Sequence, residues 1–282
     1  MRYFVLFLVF LGFIPAASAQ LKNAIPSCYQ AYGVEQKSSG RIERELLVLV
    51  DGTFDPDVGL KRTVHQKVHG FLSRGDRVSV VSFSSYGEER YTNIKFSGLV
   101  EAPPTQEHRN AISKKVLRKF DACMARQTHF VKAKVDEAIK ASFKTPDHEV
   151  PYSEILGNLK QVLEPLVNSS PAANKVILLV SDMLENSDVT SFYRSNTVKK
   201  IDPEAEIEKV RNVGLVSNFG GAEFFVIGAG WVPQKYRGKT RGSKVMLALE
   251  LFWQEYFEIS GASLNGFGKP VLVQELALSK GS

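Results

Sequence analysis

The feature that most limits the fold is a set of short, unbroken apolar runs. Residues 46–50 (LLVLV), 176–180 (VILLV) and 224–227 (FFVI) contain no polar residue. A strand with one wet face alternates apolar and polar side chains. An unbroken run of this length therefore marks a strand covered on both faces. Residues 78–83 (VSVVSF) read as a further strand. Helical stripes separate the runs: Leu60, Val64, Val68 and Phe71-Leu72 after the first, Val245, Leu249, Phe252 and Tyr256 after the last. Buried strands alternating with amphipathic helices predict an α/β fold, a doubly wound, mostly parallel central sheet flanked by helices. Residues 91–96 (YTNIKF) alternate and are expected as one antiparallel edge strand.

Other segments fill in the order. Gly75 and Asp76 stop the first helix. Pro103-Pro104 opens a long helical stretch with Ile112, Val116, Phe120, Cys123, Val131, Val135 and Ile139 on its apolar side. A break is expected near Gln127-Thr128, where that stripe lapses. Residues 146–151 read as a loop. Ser153 is the expected N-cap of a helix carrying Ile155-Leu156, Leu159, Val162-Leu163 and Leu166, which Pro165 should bend or end. Residues 204–213 read as a short helix and residues 271–276 as a closing strand. No Pro/Ser-rich linker divides the chain. Residues 45–282 are thus expected as one domain behind an irregular N-terminal arm, residues 20–44.

In such sheets, ligands bind at the carboxyl ends of the strands. Two runs end in aspartate, as Asp51-Gly52-Thr53-Phe54-Asp55 and as Ser181-Asp182-Met183-Leu184-Glu185-Asn186. Oxygen ligands at one sheet edge suit a hard cation such as Mg²⁺. The plainer alternative is that Asp51 and Asp182 cap helices or brace loops without metal.

An apolar strand, then Asp-x-(Ser/Thr)-x-Ser, then a helix, resembles the first segment of the metal-ion-dependent adhesion site of von Willebrand factor A (vWA) domains. Ser153, in Tyr152-Ser153-Glu154-Ile155-Leu156, is similar to the family's second segment, and Asp182 to its third. The resemblance spans roughly residues 46–276. It implies that Asp51 and Thr53 hold Mg²⁺ (or Mn²⁺ or Ca²⁺) directly or through water, with Ser153 and Asp182 completing the set. One coordination position is left for an acidic side chain of another protein. Asp55 departs from the pattern, because Ser is expected there. As a third carboxylate ligand it would tighten cation binding and weaken the pull on a partner's acid. Pro56 biases Asp55 toward an extended backbone that would instead turn it away.

The resemblance implies a protein-binding module, with a metal-free scaffold of the same fold as the alternative. A third reading is a Mg²⁺-dependent haloacid-dehalogenase-like phosphatase. Against it, Thr53 stands where that family needs a general acid, and no clear lysine precedes the last acidic motif.

The N-terminus sets the compartment. Arg2, the apolar residues 3–14, Pro15 and Ala17-Ser18-Ala19 before Gln20 have the anatomy of a bacterial-type signal peptide, residues 1–19. The competing reading is an uncleaved anchor, but the run is short for about 30 Å of hydrocarbon. Gln20 in place of Cys argues against a lipid anchor. No later stretch approaches a membrane-spanning length, so the mature chain is expected to be periplasmic or secreted. Removing Arg2, the segment's one charged residue, takes the formal net charge from +6 to +5. The basic residues are scattered, apart from Lys114-Lys115 with Arg118-Lys119 and the stretch 235–244, and no nucleic-acid partner is expected. Cys28 and Cys123 are the two cysteines. In an oxidising compartment they would bridge, although Cys123 also fits as a buried thiol on its apolar stripe.

Histidines give a weaker signal. His65 and His69 have a metal-capable spacing, but Gln66 breaks the zinc-protease pattern and a solvated helix edge explains them. His108, His129 and His148 have no partners at ligand spacing. Neither a nucleophile-elbow serine nor a phosphate-cradling glycine loop is present. Trp231, Tyr236 and Arg237 form a candidate aromatic-arginine contact surface beside the strand ends, with packing on their own domain as the alternative.

Overall fold

The computed structural model describes residues 22–36, 42–86, 89–143, 153–194, 197–231 and 242–278. Residues 1–19, expected as a signal peptide, the expected loop 146–151, most of the basic stretch 235–244, Tyr236, Arg237 and His148 lie outside them.

The sheet has six strands, introduced here in chain order: β1 (Arg44–Asp51), β2 (Arg77–Tyr86), β3 (Glu89–Leu99), β4 (Asn174–Val180), β7 (Glu223–Ile227) and β8 (Ser263–Phe267). A separate two-stranded pair, β5 (Tyr193–Arg194) and β6 (Thr197–Val198), lies between β4 and β7 in sequence. The spatial order is β3-β2-β1-β4-β7-β8. All neighbours run parallel except β3, which pairs antiparallel to β2 at the edge. The fold class read from the sequence is therefore the one observed.

Alternate residues of each run feed two cores. Leu47, Leu49, Ile177, Leu179, Phe224 and Val226 face α8 (Ser243–Ile259), α7 (Pro203–Asn212), α6 (Glu164–Ser169) and α5 (Ile155–Asn158). Leu46, Val48, Val50, Val176, Leu178, Val180 and Ile227 face α2 (Val58–Phe71) and α4 (Lys114–Ser142). Most of these side chains are wholly buried. Each such burial contributes about 1.5–3 kcal/mol, so a polar residue on either face is costly and the runs stay unbroken.

Several expectations need correction. The closing strand is β8, not residues 271–276. The crossover from α8 delivers residue 263 directly to the free edge of β7, so that edge is filled first. Leu272 and Leu276 still bury in the second core, while Val271 and Val273 stay exposed. The long helix α4 does not break at Gln127. That side chain is buried against the N-terminal arm, taking the Glu101 N–H at 2.9 Å and donating to the Pro26 carbonyl at 3.0 Å. The stripe lapses there because the partner surface is polar. Pro165 does not end its helix either. A π-helical turn, Leu159–Leu163, joins α5 to α6, with Pro165 in the first turn of α6, where its missing N–H is tolerated.

The arm carries a five-residue helix, α1 (Cys28–Tyr32). The Cys28–Cys123 disulfide ties it to α4, and Tyr29 packs edge-on to Phe120 at 5.0 Å. A short helix, α3 (Gln106–Ala111), precedes α4. Among the described residues no helix is long and apolar enough to cross a membrane.

Candidate functional site

Strands β1 and β4 are neighbours, and chain order reverses between them, which opens a crevice at their carboxyl ends. Asp51 is the last residue of β1, and Asp182 lies two residues beyond β4. Parallel register pairs Val50 with Val180, which sets the two acids at one edge of the sheet.

Asp51 is 1% exposed, and hydroxyl groups surround it. Its Oδ1 accepts the Thr53 N–H at 2.9 Å and the Thr53 hydroxyl at 2.6 Å. Its Oδ2 accepts the Ser181 hydroxyl at 2.9 Å and the Ser153 hydroxyl at 3.3 Å. Asp182 is half-buried. Its Oδ1 takes the Leu184 N–H at 2.9 Å, and the Tyr193 hydroxyl donates to Oδ2. Four of the five predicted residues, Asp51, Thr53, Ser153 and Asp182, thus meet at the strand ends. Asp55 does not join them. Its side chain is 60% exposed and pairs with Lys61 at 2.8 Å, one turn into α2. Pro56 is buried beside it and Asp57 caps the helix, so the chain turns Asp55 outward.

Ser153 is not the N-cap expected of it. Its hydroxyl is on Asp51, and its backbone pairs with Asn186, N–H to O at 3.1 and 3.0 Å in the two directions. The first turn of α5 is served instead by Glu185, whose carboxylate accepts the Leu156 N–H at 2.9 Å. Ser181 and Tyr193 complete the cluster and were not singled out as site residues. Ser181 stands one residue before an expected ligand, so strand-end position gave a signal for it. Tyr193 sits in a polar stretch with no periodicity, and its position depends on the Ser153–Asn186–Ser191 backbone bridges.

The supporting loops are tightly fitted. Gly228 has φ +109°, and a Cβ there would meet Phe54 Cζ at 2.5 Å and the Ser181 carbonyl at 2.7 Å. Met183 takes φ +59°, and Trp253 Nε1 donates to its carbonyl at 2.9 Å. Trp231 packs edge-on against Phe54 at 5.5 Å.

The electrostatics follow from this burial. Burial, then the charge of Asp51, pushes the Asp182 carboxyl up to about 7. Burial also raises Asp51, although the hydroxyls of Thr53, Ser181 and Ser153 favour its ionised form. Burial and the adjacent Asp182 raise the Tyr193 phenol well above its usual range. Among the described residues, neither carboxylate is paired with a basic side chain. Two acids and four hydroxyls, with no counter-charge, form a donor set that fits a hard cation. Half-buried Thr53 and Asp182 leave it reachable from one side.

No family model matches the sequence, and no curated protein does. Among solved structures, the chain is similar to the three N-terminal domains of the type V pili tip protein Mfa5 from Porphyromonas gingivalis. Identity is 16% over 63% of this chain and 28% of that one, with a TM-score of 0.30. It is also similar to the manganese-loaded Plasmodium vivax TRAP protein, with 18% identity over 69% of this chain and 60% of that one, and a TM-score of 0.29. A third likeness is to the N-terminal domain of TFIIH p34, with 11% identity over 75% and 97% and a TM-score of 0.27. The chain spans less than two thirds of the first two proteins. Likeness at these scores carries no weight for the site or its role.

Proposed function

We propose that this chain is an exported, vWA-like protein-binding module that uses a divalent cation at the β1/β4 crevice to engage an acidic side chain of a partner protein. The observation that carries the reading is the gathering of the Thr53, Ser153 and Ser181 hydroxyls on Asp51 at the end of β1, with Asp182 just beyond the end of the neighbouring strand β4. Those residues, with Ser181 and Tyr193 beside them, would hold Mg²⁺, Mn²⁺ or Ca²⁺. The bound ion would supply an electrophilic position for a carboxylate. With Asp55 committed to Lys61, the two remaining carboxylates balance a divalent charge. The neutral hydroxyls add none, so the ion keeps its pull on a partner's acid.

Export is proposed from the signal-peptide anatomy of residues 1–19, and the Cys28–Cys123 bridge is compatible with it. Binding is preferred to phosphatase chemistry. Asp51 is buried with both oxygens hydrogen-bonded, and Thr53 stands where a general acid would be needed. A metal-free scaffold is the second reading, and one observation favours it. The hydroxyls already satisfy both oxygens of Asp51.

The test is thermal unfolding of the chelated protein titrated with Mg²⁺, Mn²⁺ and Ca²⁺, beside Asp182→Ala. A ligand at 100 times its dissociation constant stabilises by roughly 2.7 kcal/mol. The expected result is a cation-dependent rise in Tm that Asp182→Ala abolishes. Absence of any rise overturns the cation reading and leaves the scaffold.

A further inference from the structure

A second cluster of metal-capable side chains lies away from the strand ends, between α2 and α4. His65 and His69, one turn apart on α2, turn the same way. His65 Nδ1 lies 2.6 Å and His69 Nε2 2.9 Å from the same atom, Asp136 Oδ1 of α4. The two helices meet along the stripe formed by Val64 and Val68 on α2 with Val131 and Val135 on α4, all wholly buried. That packing fixes the backbone at all three positions. The side chains themselves are 29%, 36% and 39% exposed for His65, His69 and Asp136, so an ion can reach them from solvent.

We propose that His65, His69 and Asp136 form a binding site for a borderline divalent metal of the Zn²⁺ class, clipping α2 to α4. Two imidazoles and one carboxylate suit Zn²⁺, Cu²⁺ or Ni²⁺ rather than the Mg²⁺ or Ca²⁺ expected at an all-oxygen cluster. Two histidines four residues apart on a helix present both rings to one ion. Three protein ligands leave a fourth position for water.

As they stand, the three are hydrogen-bonded to one another. Among the described residues no group of three or more His, Cys, Asp or Glu, as placed, could hold a metal ion, so this site forms only if the three side chains shift. Tetrahedral donors at Zn–N distances of about 2.0–2.1 Å lie roughly 3.3 Å apart, and Asp136 sits closer than that to both rings. Partly exposed Asp136 has room to withdraw by the needed fraction of an ångström. The metal takes the ring nitrogens that face Asp136, and each neutral imidazole then carries its proton on its other nitrogen. Lys132, one turn before Asp136 on α4, has its ammonium on the His69 carbonyl at 3.2 Å.

The site shares no residue with the oxygen cluster, so the two proposals stand or fall separately. The experiment is titration of the untagged, chelator-stripped full chain with Zn²⁺ by calorimetry and with Cu²⁺ by electron paramagnetic resonance. The same titrations follow for His65→Gln, His69→Gln, the double variant, and Asp182→Ala. The expected result is one bound equivalent with nitrogen hyperfine structure in the copper spectrum. Each single His variant should lose at least about tenfold in affinity, and the double variant should lose the signal. Asp182→Ala should keep it. All five proteins are compared by circular dichroism, and only folded variants are scored. A double variant that binds as the wild type does, or a wild-type chain that binds neither metal, overturns the proposal. If zinc binding is lost in Asp182→Ala and kept in the double His variant, the metal sits at the strand ends and the proposal also fails.

Discussion

Glu185 offers a sharp test of how burial governs this domain. It is wholly buried at the start of α5, and burial first of all pushes its carboxyl from an ordinary 4.5 to about 7. Hydrogen bonds, the Leu156 N–H among them, oppose that shift, and the charge of Glu154 adds to it. The sign follows directly. Between pH 4.5 and 7 the folded state keeps the proton that the unfolded chain gives up, so the native state binds more protons. Stability must then fall as pH rises. Each pH unit of separation is worth about 1.36 kcal/mol, so the loss between pH 5 and 8 is roughly 2–3 kcal/mol. Glu185→Gln keeps the size and an acceptor for Leu156 and removes the titration. Urea unfolding of both proteins in chelator, from pH 5 to 8, isolates the effect as a difference. The variant should gain roughly 2–3 kcal/mol on the wild type across that window, about 4–12 °C in Tm for a domain of this size. A difference that stays level with pH, or shrinks as pH rises, refutes the assignment of a buried, uncompensated carboxylate.

Two further outcomes test the framework. Gly228→Ala should lower the unfolding free energy by roughly 2 kcal/mol or more, read as a lower urea midpoint, since a Cβ at φ +109° meets Phe54 and the Ser181 carbonyl at 2.5 and 2.7 Å; a wild-type midpoint would mean the loop gives way freely. Replacing Cys28 and Cys123 by serine should cost up to about 4–5 kcal/mol on the loop-entropy account of a 95-residue separation, read from the same urea curves.

The sheet was legible because double-sided burial leaves no polar residue in the runs 46–50, 176–180 and 224–227 that form most of β1, β4 and β7. Where burial is partial, the pattern misleads. Strand β8 is SLNGF, whose Ser263, Leu264 and Asn265 are not buried, so its alternation is weak. Residues 271–276 look more strand-like, yet they arrive after the β7 edge is taken. Gln127 failed in the opposite sense, because a polar residue on an apolar stripe looks like a break unless the polar partner is known. That partner, the arm with Glu101, is held by a disulfide spanning 95 residues, which no local pattern reports.

The candidate site divides along the same line. Asp51 and Asp182 were legible because strand ends are predictable wherever the strands are. Thr53 followed from its place two residues on, where both its N–H and its hydroxyl reach Asp51. Tyr193 was not legible, since a two-residue strand in an irregular loop brings it onto Asp182. Its role narrows the choice between the two readings of the site. A phenol that donates to Asp182 stabilises the carboxylate without metal, as the serines and Thr53 do for Asp51. A cation would have to compete with those donors, while offsetting the burial and, after it, the Asp51 charge that together hold Asp182 near 7. The hydroxyls keep their lone pairs when their protons turn away, so the same oxygens serve either state. Cation binding and proton binding are therefore alternatives at Asp182, and cation affinity should rise with pH through 7.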